Sequence, residues 1–363
     1  MKRRQFLRAG AAAFAAAPAL AAPALAQTTP EIKWRLTSSF AKSLDVMQGT
    51  VQTLCRYVAE ATDNHFVIQP FNAGELAPSN QALDAVSSGS VECAFTPLGY
   101  YVAKDPVLAF GSGVPFGLNA RQQHAWWMFG GGGDLINGAL KRLNVLGIPA
   151  GTSGTQMGGW FRKEIATVDD FKGLRMRIIG MGGPVLARLG AVPYQMGHAD
   201  VFSGLENGTL DGAEFVCPHD DEKLGFVKVA RFNYFPCWWE GSGTIHMVIN
   251  IDKWNELPKA YQSILARACD AAAGWMIAKY DVVNPPALRR LVSAGAVMKP
   301  FPQPLLEACY KATGEHLGEI AAKSIGFKKA LDSMNAFRND HIAWRQMAEY
   351  AFDSFMITTR GKA

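Results

Sequence analysis

Two arginines two residues apart, in Leu174-Arg175-Met176-Arg177-Ile178-Ile179, stand where residue type and spacing could do chemistry. The segment reads as a strand whose alternation puts Arg175 and Arg177 on one face, with Arg177 nearer the carboxyl end, where open α/β sheets take ligands. A guanidinium with apolar neighbours there can hold a carboxylate by two parallel hydrogen bonds; the plain alternative is a surface arginine paired with an Asp or Glu. The one dense polar cluster, His219-Asp220-Asp221-Glu222, reads either as a solvated loop or helix start or as a metal site.

Constellations that enzymes need are missing from the sequence. Gly151-Thr152-Ser153-Gly154-Thr155 carries Thr155 where a nucleophile elbow has its last glycine. His65, His124, His198, His219, His246, His316 and His341 show neither HxH nor HExxH spacing. Gly130 to Gly133 follows no strand and precedes no Lys-Ser or Lys-Thr, so it reads as a turn between helices and not as a phosphate cradle. A binder, and not an enzyme, is the expectation.

The elements that must hold these residues alternate between strand and helix. Strands are expected at Ile32 to Leu36, His65 to Phe71 and Val91 to Phe95, with helices at about Val46 to Ala61 and Asn80 to Ser87 between them. Arg121 to Phe129 reads as helical, and Asp134 as the cap of a helix reaching about Leu143. A second block has strands at Met157 to Arg162, Leu174 to Ile179 and Gly212 to Val216, and helices near Pro184 to Leu189 and Asp200 to Asn207. Thr244 to Ile251 reads as a strand returning to the first block; from Pro258 onward the chain is mostly helical, with Asn284-Pro285-Pro286 expected to break one long helix. The fold class is α/β, in two lobes with a cleft between them: 27–155 with about 244–284, and 156–243 with about 285–334. Residues 335–363 form a C-terminal helical segment in which Trp344, Met347, Ala348, Ala351, Phe352 and Phe355 recur at helical spacing, a stripe for a homodimer or for packing back on its own lobe.

The 363 residues, 49% hydrophobic and 18% charged, suffice for two domains with a large core. The first 26 hold Lys2, Arg3, Arg4 and Arg8 and no acid, so taking those four charges from the net +5 leaves the rest at +1. Such a chain has no electrostatic footprint for nucleic acid. That first segment reads as an export signal with a twin-arginine start and cleavage after Ala24-Leu25-Ala26, directing the chain to the periplasm. Beyond it, no run of about 18 apolar residues could span a bilayer. The scattered cysteines, Cys55, Cys93, Cys217, Cys237, Cys269 and Cys309, read as buried thiols, with Cys217 and Cys237 the first pair to consider for a disulfide.

Phe171-Lys172-Gly173-Leu174-Arg175-Met176-Arg177 followed by Leu205-Glu206-Asn207-Gly208-Thr209-Leu210-Asp211-Gly212-Ala213-Glu214 resembles the solute-binding proteins of tripartite ATP-independent periplasmic (TRAP) transporters, across nearly the whole mature chain. Gln156-Met157-Gly158-Gly159-Trp160-Phe161, Asp220 to Phe226 and Trp238-Trp239-Glu240-Gly241 look like the branch that binds 2-oxo acids or lactate together with a metal ion. The resemblance implies a two-lobe periplasmic binding protein fold that hands a small monocarboxylate such as pyruvate to membrane subunits driven by an ion gradient. Lactate or another hydroxy acid is the alternative ligand, and an enzyme acting on a small organic acid the competing class. It makes Arg177 the clamp of the ligand carboxylate, and Gln156, Glu214, the Phe215 carbonyl and Glu240 the ligands of a Na⁺ or Ca²⁺ ion bridging substrate and protein. Charge supports the ion: two glutamates and a monocarboxylate against one arginine leave two negative charges that burial without a counter-ion would make prohibitive. The alternative is Glu240 as a solvated loop residue after two core tryptophans. Phe215 departs from the Asn that sialate-binding members carry and favours a small, partly apolar ligand; Tyr100, Tyr101, Trp238 and Trp239 are candidates for the pocket wall.

Overall fold

The structure, a computed structural model, describes residues 30–197 and 200–360. The expected export signal, its twin arginines and its cleavage site lie outside the described residues, as does His198. The chain divides at Ile32; Pro30 and Glu31 are the described residues of the first unit, and every element below belongs to the second, Ile32–Ala363.

The strands of that unit are β1 (Ile32–Ser38), β2 (Phe66–Phe71), β3 (Cys93–Thr96), β4 (Val145–Thr152), β5 (Trp160–Phe161), β6 (Arg175–Arg177), β7 (Val192–Tyr194), β8 (Gly212–Ala213), β9 (Phe232–Phe235), β10 (Thr244–Asn250) and β11 (Val297–Pro300). They form a five-stranded sheet in the order β2-β1-β3-β10-β4 and a six-stranded sheet in the order β11-β9-β5-β8-β6-β7. In the first, β1 lies parallel to β2 and β3, joined by the helices Asp45–Ala61 and Ala82–Ser87, since parallel neighbours need a crossover. β10 enters late and antiparallel between β3 and β4, buried at all seven positions as a central strand covered on both faces must be. In the second sheet β6 is parallel to both β7 and β8, through the short helices Gly182–Arg188 and Val201–Glu206.

Helix Asp45–Ala61 shows how sequence sets packing. Val46, Met47, Thr50, Val51, Leu54, Cys55 and Val58 fall on one buried stripe, which lies against the helix Lys259–Ser293. The latter runs unbroken through Pro285 and Pro286, against the expectation of a break. Each interior proline costs about 3 kcal/mol through a lost N–H and a steric clash. That cost is offset by anchors on both sides: Tyr280, Ala287 and Leu291 are buried, Tyr280 Oη donates to Asp220 Oδ2 at 2.7 Å, and Asn284 Oδ1 accepts the His219 N–H at 3.1 Å. This helix therefore reaches from β4 in one sheet to the helix Pro218–Leu224 beside the other.

Gly130 and Gly131 do separate two helices, Ala120–Phe129 and Gly132–Lys141. Gly131 at φ 85° makes the turn, and a Cβ on Gly132 would come within 2.6 Å of the Trp126 ring. Asp134 lies in the first turn and not at the cap, where it still complements the helix dipole. The C-terminal region comprises helices Gln303–Lys323, Ile325–Met347 and Glu349–Thr359. Phe327, Ala330 and Met334 bury with Phe110 and Trp126, whereas Trp344, Met347, Phe352 and Phe355 are exposed. No helix among the described residues is long and apolar enough to cross a membrane. All six cysteines are buried free thiols, so Cys217 and Cys237 form no disulfide.

Candidate functional site

A small cavity of about 40 Å³ lies among residues of both sheets, lined by Phe40, Met47, Pro97, Tyr100, Ser153, Gln156, Arg177, Ile179, Glu214, Phe215, Val216, Glu240, Gly243, Thr244 and Ile245. Arg177 ends β6, Glu214 and Phe215 directly follow β8, and Tyr100 belongs to the turn after β3. These are carboxyl ends of parallel strands, the usual ligand end of open α/β sheets. Gln156 and Glu240 come from the connections β4–β5 and β9–β10, which pass from one sheet to the other.

Register brings the charges together. Arg177 pairs with Ala213, so Glu214 falls beside it: Glu214 N–H donates to the Arg177 carbonyl at 2.9 Å, and Arg177 Nη1 donates to both the Glu214 carbonyl and Oε2 at 2.8 Å. Arg177 Nε donates to the Met196 carbonyl at 3.2 Å, and its guanidinium lies 5.7 Å from the Phe215 ring centroid. Both members of this ion pair are 2% exposed. Arg175, on the same strand face, instead pairs with Asp211 at 2.7 and 2.8 Å near the surface, so the two arginines divide the two readings of their spacing.

Two buried carboxylates face one buried guanidinium. Burial pushes the Glu214 carboxyl above its usual range even with Arg177 beside it. Glu240 is pushed well above, first by burial and then by the charge of Glu214. Gln156 Nε2 donates to Ser153 Oγ at 3.0 Å, and its buried Oε1 has no hydrogen-bond partner. An orphaned amide oxygen lining the same cavity as two under-neutralised carboxylates fits an oxygen-coordinated cation such as Na⁺ or Ca²⁺. Gln156, Glu214, the Phe215 carbonyl and Glu240 offer oxygen alone, which is not the nitrogen and sulfur donor set typical of zinc. Gly243 makes the placement of Gln156 feasible, since a Cβ there would lie 2.2 Å from Gln156 Nε2.

Of the residues singled out from sequence, Tyr100, Gln156, Arg177, Glu214, Phe215 and Glu240 meet at this cavity. Tyr101 and Trp238 do not. Tyr101 turns into the core, where its hydroxyl takes the Leu83 N–H at 3.2 Å and lies 2.8 Å from Thr96 Oγ1. Trp238 stacks on Phe116 at 5.5 Å in a separate groove of about 780 Å³, and Trp239 packs edge-on against Trp238 and Phe301. The cluster His219-Asp220-Asp221-Glu222 is a helix start whose two aspartates are buried: Trp160 Nε1 donates to Asp221 at 2.8 Å, and burial raises Asp220 to about 6 and Asp221 to about 8. Phe40, Met47 and Ile245 gave no sequence signal, being ordinary core types from distant segments, and Ser153 stood out only within a failed nucleophile elbow; the glycines flanking Ser242 are the one signal that could have pointed to close backbone packing beside Glu240.

Residues 37–324 match the family described as bacterial extracellular solute-binding protein, family 7 (DctP). A Nostoc protein described as a monocarboxylate 2-oxoacid-binding periplasmic protein is 43% identical over 366 aligned residues, covering 99% of this chain and all of its own. A TRAP transporter solute-binding protein from Bordetella bronchiseptica superposes with TM-score 0.90 at 42% identity, over 92% of this chain and 99% of the other. Its crystal structure is a mixed-occupancy dimer with copurified calcium and picolinate in one active site and an apo second site. Another, from Pseudoalteromonas atlantica with bound sodium and pyruvate, superposes with TM-score 0.87 at 33% identity, over 89% of this chain and 99% of the other. With its two-lobed α/β architecture and this match over most of its length, the chain belongs to the DctP family of extracytoplasmic solute-binding proteins, the substrate-binding receptors of TRAP transporters.

Proposed function

We propose that this protein is a periplasmic receptor that binds a small 2-oxo monocarboxylate such as pyruvate together with Na⁺ or Ca²⁺, and delivers it to TRAP membrane subunits for secondary-active uptake without chemical change. The observation that carries the reading is the cavity in which Arg177, two under-neutralised glutamates and the orphaned Gln156 Oε1 meet. Gln156, Glu214, the Phe215 carbonyl and Glu240 would hold the cation, which supplies positive charge and oxygen coordination to the ligand. Nε and Nη1 of Arg177 already serve Met196 and Glu214, which leaves Nη2 for the ligand carboxylate, with the Tyr100 hydroxyl also beside the guanidinium. Phe40, Met47, Phe215 and Ile245 give one wall an apolar character, which suits a short alkyl chain and opposes a polyhydroxylated ligand.

The chain enters the periplasm with an export signal cleaved after Ala26, and its lobes divide near residues 155, 243 and 284. The exposed Trp344, Met347, Phe352 and Phe355 form a homodimer face, a reading supported by the dimer of the Bordetella bronchiseptica relative. Mass spectrometry of small molecules released by denaturing the purified protein, with calorimetry against a panel of acids, tests the ligand. A response to pyruvate or 2-oxobutyrate is expected; a response to lactate alone, or tight binding of a sialic acid or sugar with none to 2-oxo acids, overturns the 2-oxo assignment.

A further inference from the structure

We propose that Arg338 and Phe116 are positioning residues for Glu240, so that the C-terminal helix Ile325–Met347 sets the geometry of the cation site. The inference rests on the reading of Glu240 as a cation ligand and adds what holds it in place.

Glu240 lies on the connection from β9 to β10, with no regular element of its own. It is fastened from the opposite loop, residues 113–118. Phe116 N–H donates to the Trp238 carbonyl at 2.7 Å, and the two rings stack at 5.5 Å with 21° between planes. Gly113, at φ 144°, lies so near that a Cβ would be 2.9 Å from Glu240 Cγ and from the Ser242 carbonyl; a Cβ on Gly241 would be 2.7 Å from the Leu118 carbonyl. The two loops thus interlock around Glu240, two residues from the Trp238 anchor.

Phe116 has φ 52°, a conformation that a bulky side chain adopts only when its surroundings impose it. What imposes it comes from elsewhere in the chain: Arg338 Nη1 donates to the Phe116 carbonyl at 2.7 Å, and Tyr310 meets the Phe116 ring edge-on at 5.2 Å. Arg338 and Trp238 both line the 780 Å³ groove. The path from helix to cation site is therefore one charge-assisted hydrogen bond, one constrained residue, one stacked pair and two residues of backbone. Partners that hydrogen-bond directly to a metal ligand are worth about 10- to 100-fold in metal affinity, and a tether acting through Trp238 belongs at the low end of that range.

The test uses the full mature chain as wild type, Arg338→Ala, Arg338→Lys and Phe116→Gly. The last tolerates the backbone conformation while deleting the ring. Calcium alone is titrated calorimetrically after chelation, with thermal unfolding and near-ultraviolet circular dichroism of the ion-free protein and light scattering alongside. Arg338→Ala and Phe116→Gly should weaken calcium about 10-fold or more and alter the tryptophan dichroism, with Arg338→Lys restoring most of the affinity. Unchanged calcium affinity with lowered unfolding temperature overturns the proposal, as does loss of affinity confined to variants whose oligomeric state has changed. If the wild type takes neither calcium nor sodium, the cation reading itself fails; the tether is then judged by pyruvate affinity, which Arg338→Ala must lower for it to stand.

Discussion

Replacing Arg177 by lysine keeps the charge and removes the planar fork, and the structure puts numbers on what is lost. Arg177 donates twice to Glu214 and once to the Met196 carbonyl, at 2.8, 2.8 and 3.2 Å, and also meets the Tyr100 hydroxyl. A single ammonium cannot serve all three acceptors and a ligand as well. Loss of the ligand contact should cost about 2 to 5 kcal/mol, since truncating a desolvated charge pair costs that much. That corresponds to a Kd weakened about 30-fold to several thousand-fold. Folding is also affected: hydrogen bonds to charged groups are worth about 1.5 to 3 kcal/mol, and Glu214, 2% exposed, keeps a poorer partner. A clamp read from the strand alone would leave the fold nearly intact, whereas the Glu214 pair makes a stability loss of about 1 to 3 kcal/mol the expected outcome. Calorimetry with pyruvate at saturating calcium and urea unfolding without ligand separate the two effects. Unchanged pyruvate affinity would place the carboxylate clamp elsewhere; lost stability with unchanged affinity would make Arg177 only the partner of Glu214.

Glu240→Gln removes one buried charge and should weaken the cation by at least about 10-fold while leaving ion-free stability equal or higher, because burial and Glu214 already oppose ionisation at that site; lower ion-free stability with full ion affinity would contradict it. Asp221 titrates at about 8 in the fold and near 3.9 in an unfolded chain, so the native state holds a proton that the unfolded state releases, and stability falls as pH rises from about 4 to about 8. Asp221→Asn keeps an acceptor for Trp160 Nε1 and should flatten that slope in urea titrations, gaining up to about 4 kcal/mol at pH 7; identical pH profiles would refute the raised carboxyl. Phe352→Asp with Phe355→Asp, on the exposed C-terminal face, should turn a dimer into a monomer by light scattering without changing pyruvate affinity; an unchanged mass would move the interface.

Arg177 was legible from its type and its place at a strand end, whereas Gln156, Glu214, Phe215 and Glu240 were legible only through the resemblance of their motifs to TRAP solute-binding proteins. The strand put Arg177 nearer the carboxyl end than Arg175 and the resemblance made it the clamp, while Asp211, which occupies Arg175, comes from the other motif. What was not legible is what depends on long-range packing. Tyr101 and Trp238 have the composition of a pocket wall, yet Thr96 and Phe116 draw them into the core and into a separate groove. Pro285 and Pro286 argue locally for a break, and only the buried Tyr280 and Leu291 on either side explain why the helix continues. The Arg177–Glu214 pair depends on the register of β6 against β8, which alternation within either strand does not reveal.

In the proposed function, ligand and cation bind as a unit at Gln156, Glu214, Phe215 and Glu240 with Arg177 holding the carboxylate. The most direct test is a pyruvate titration of the purified mature protein after exhaustive chelation in sodium-free buffer, repeated with Na⁺ or Ca²⁺ restored. Weak or absent binding is expected without the ion, with recovery when it is restored and a reciprocal increase of ion affinity by pyruvate of the same factor. Full pyruvate affinity in the ion-free buffer would contradict it.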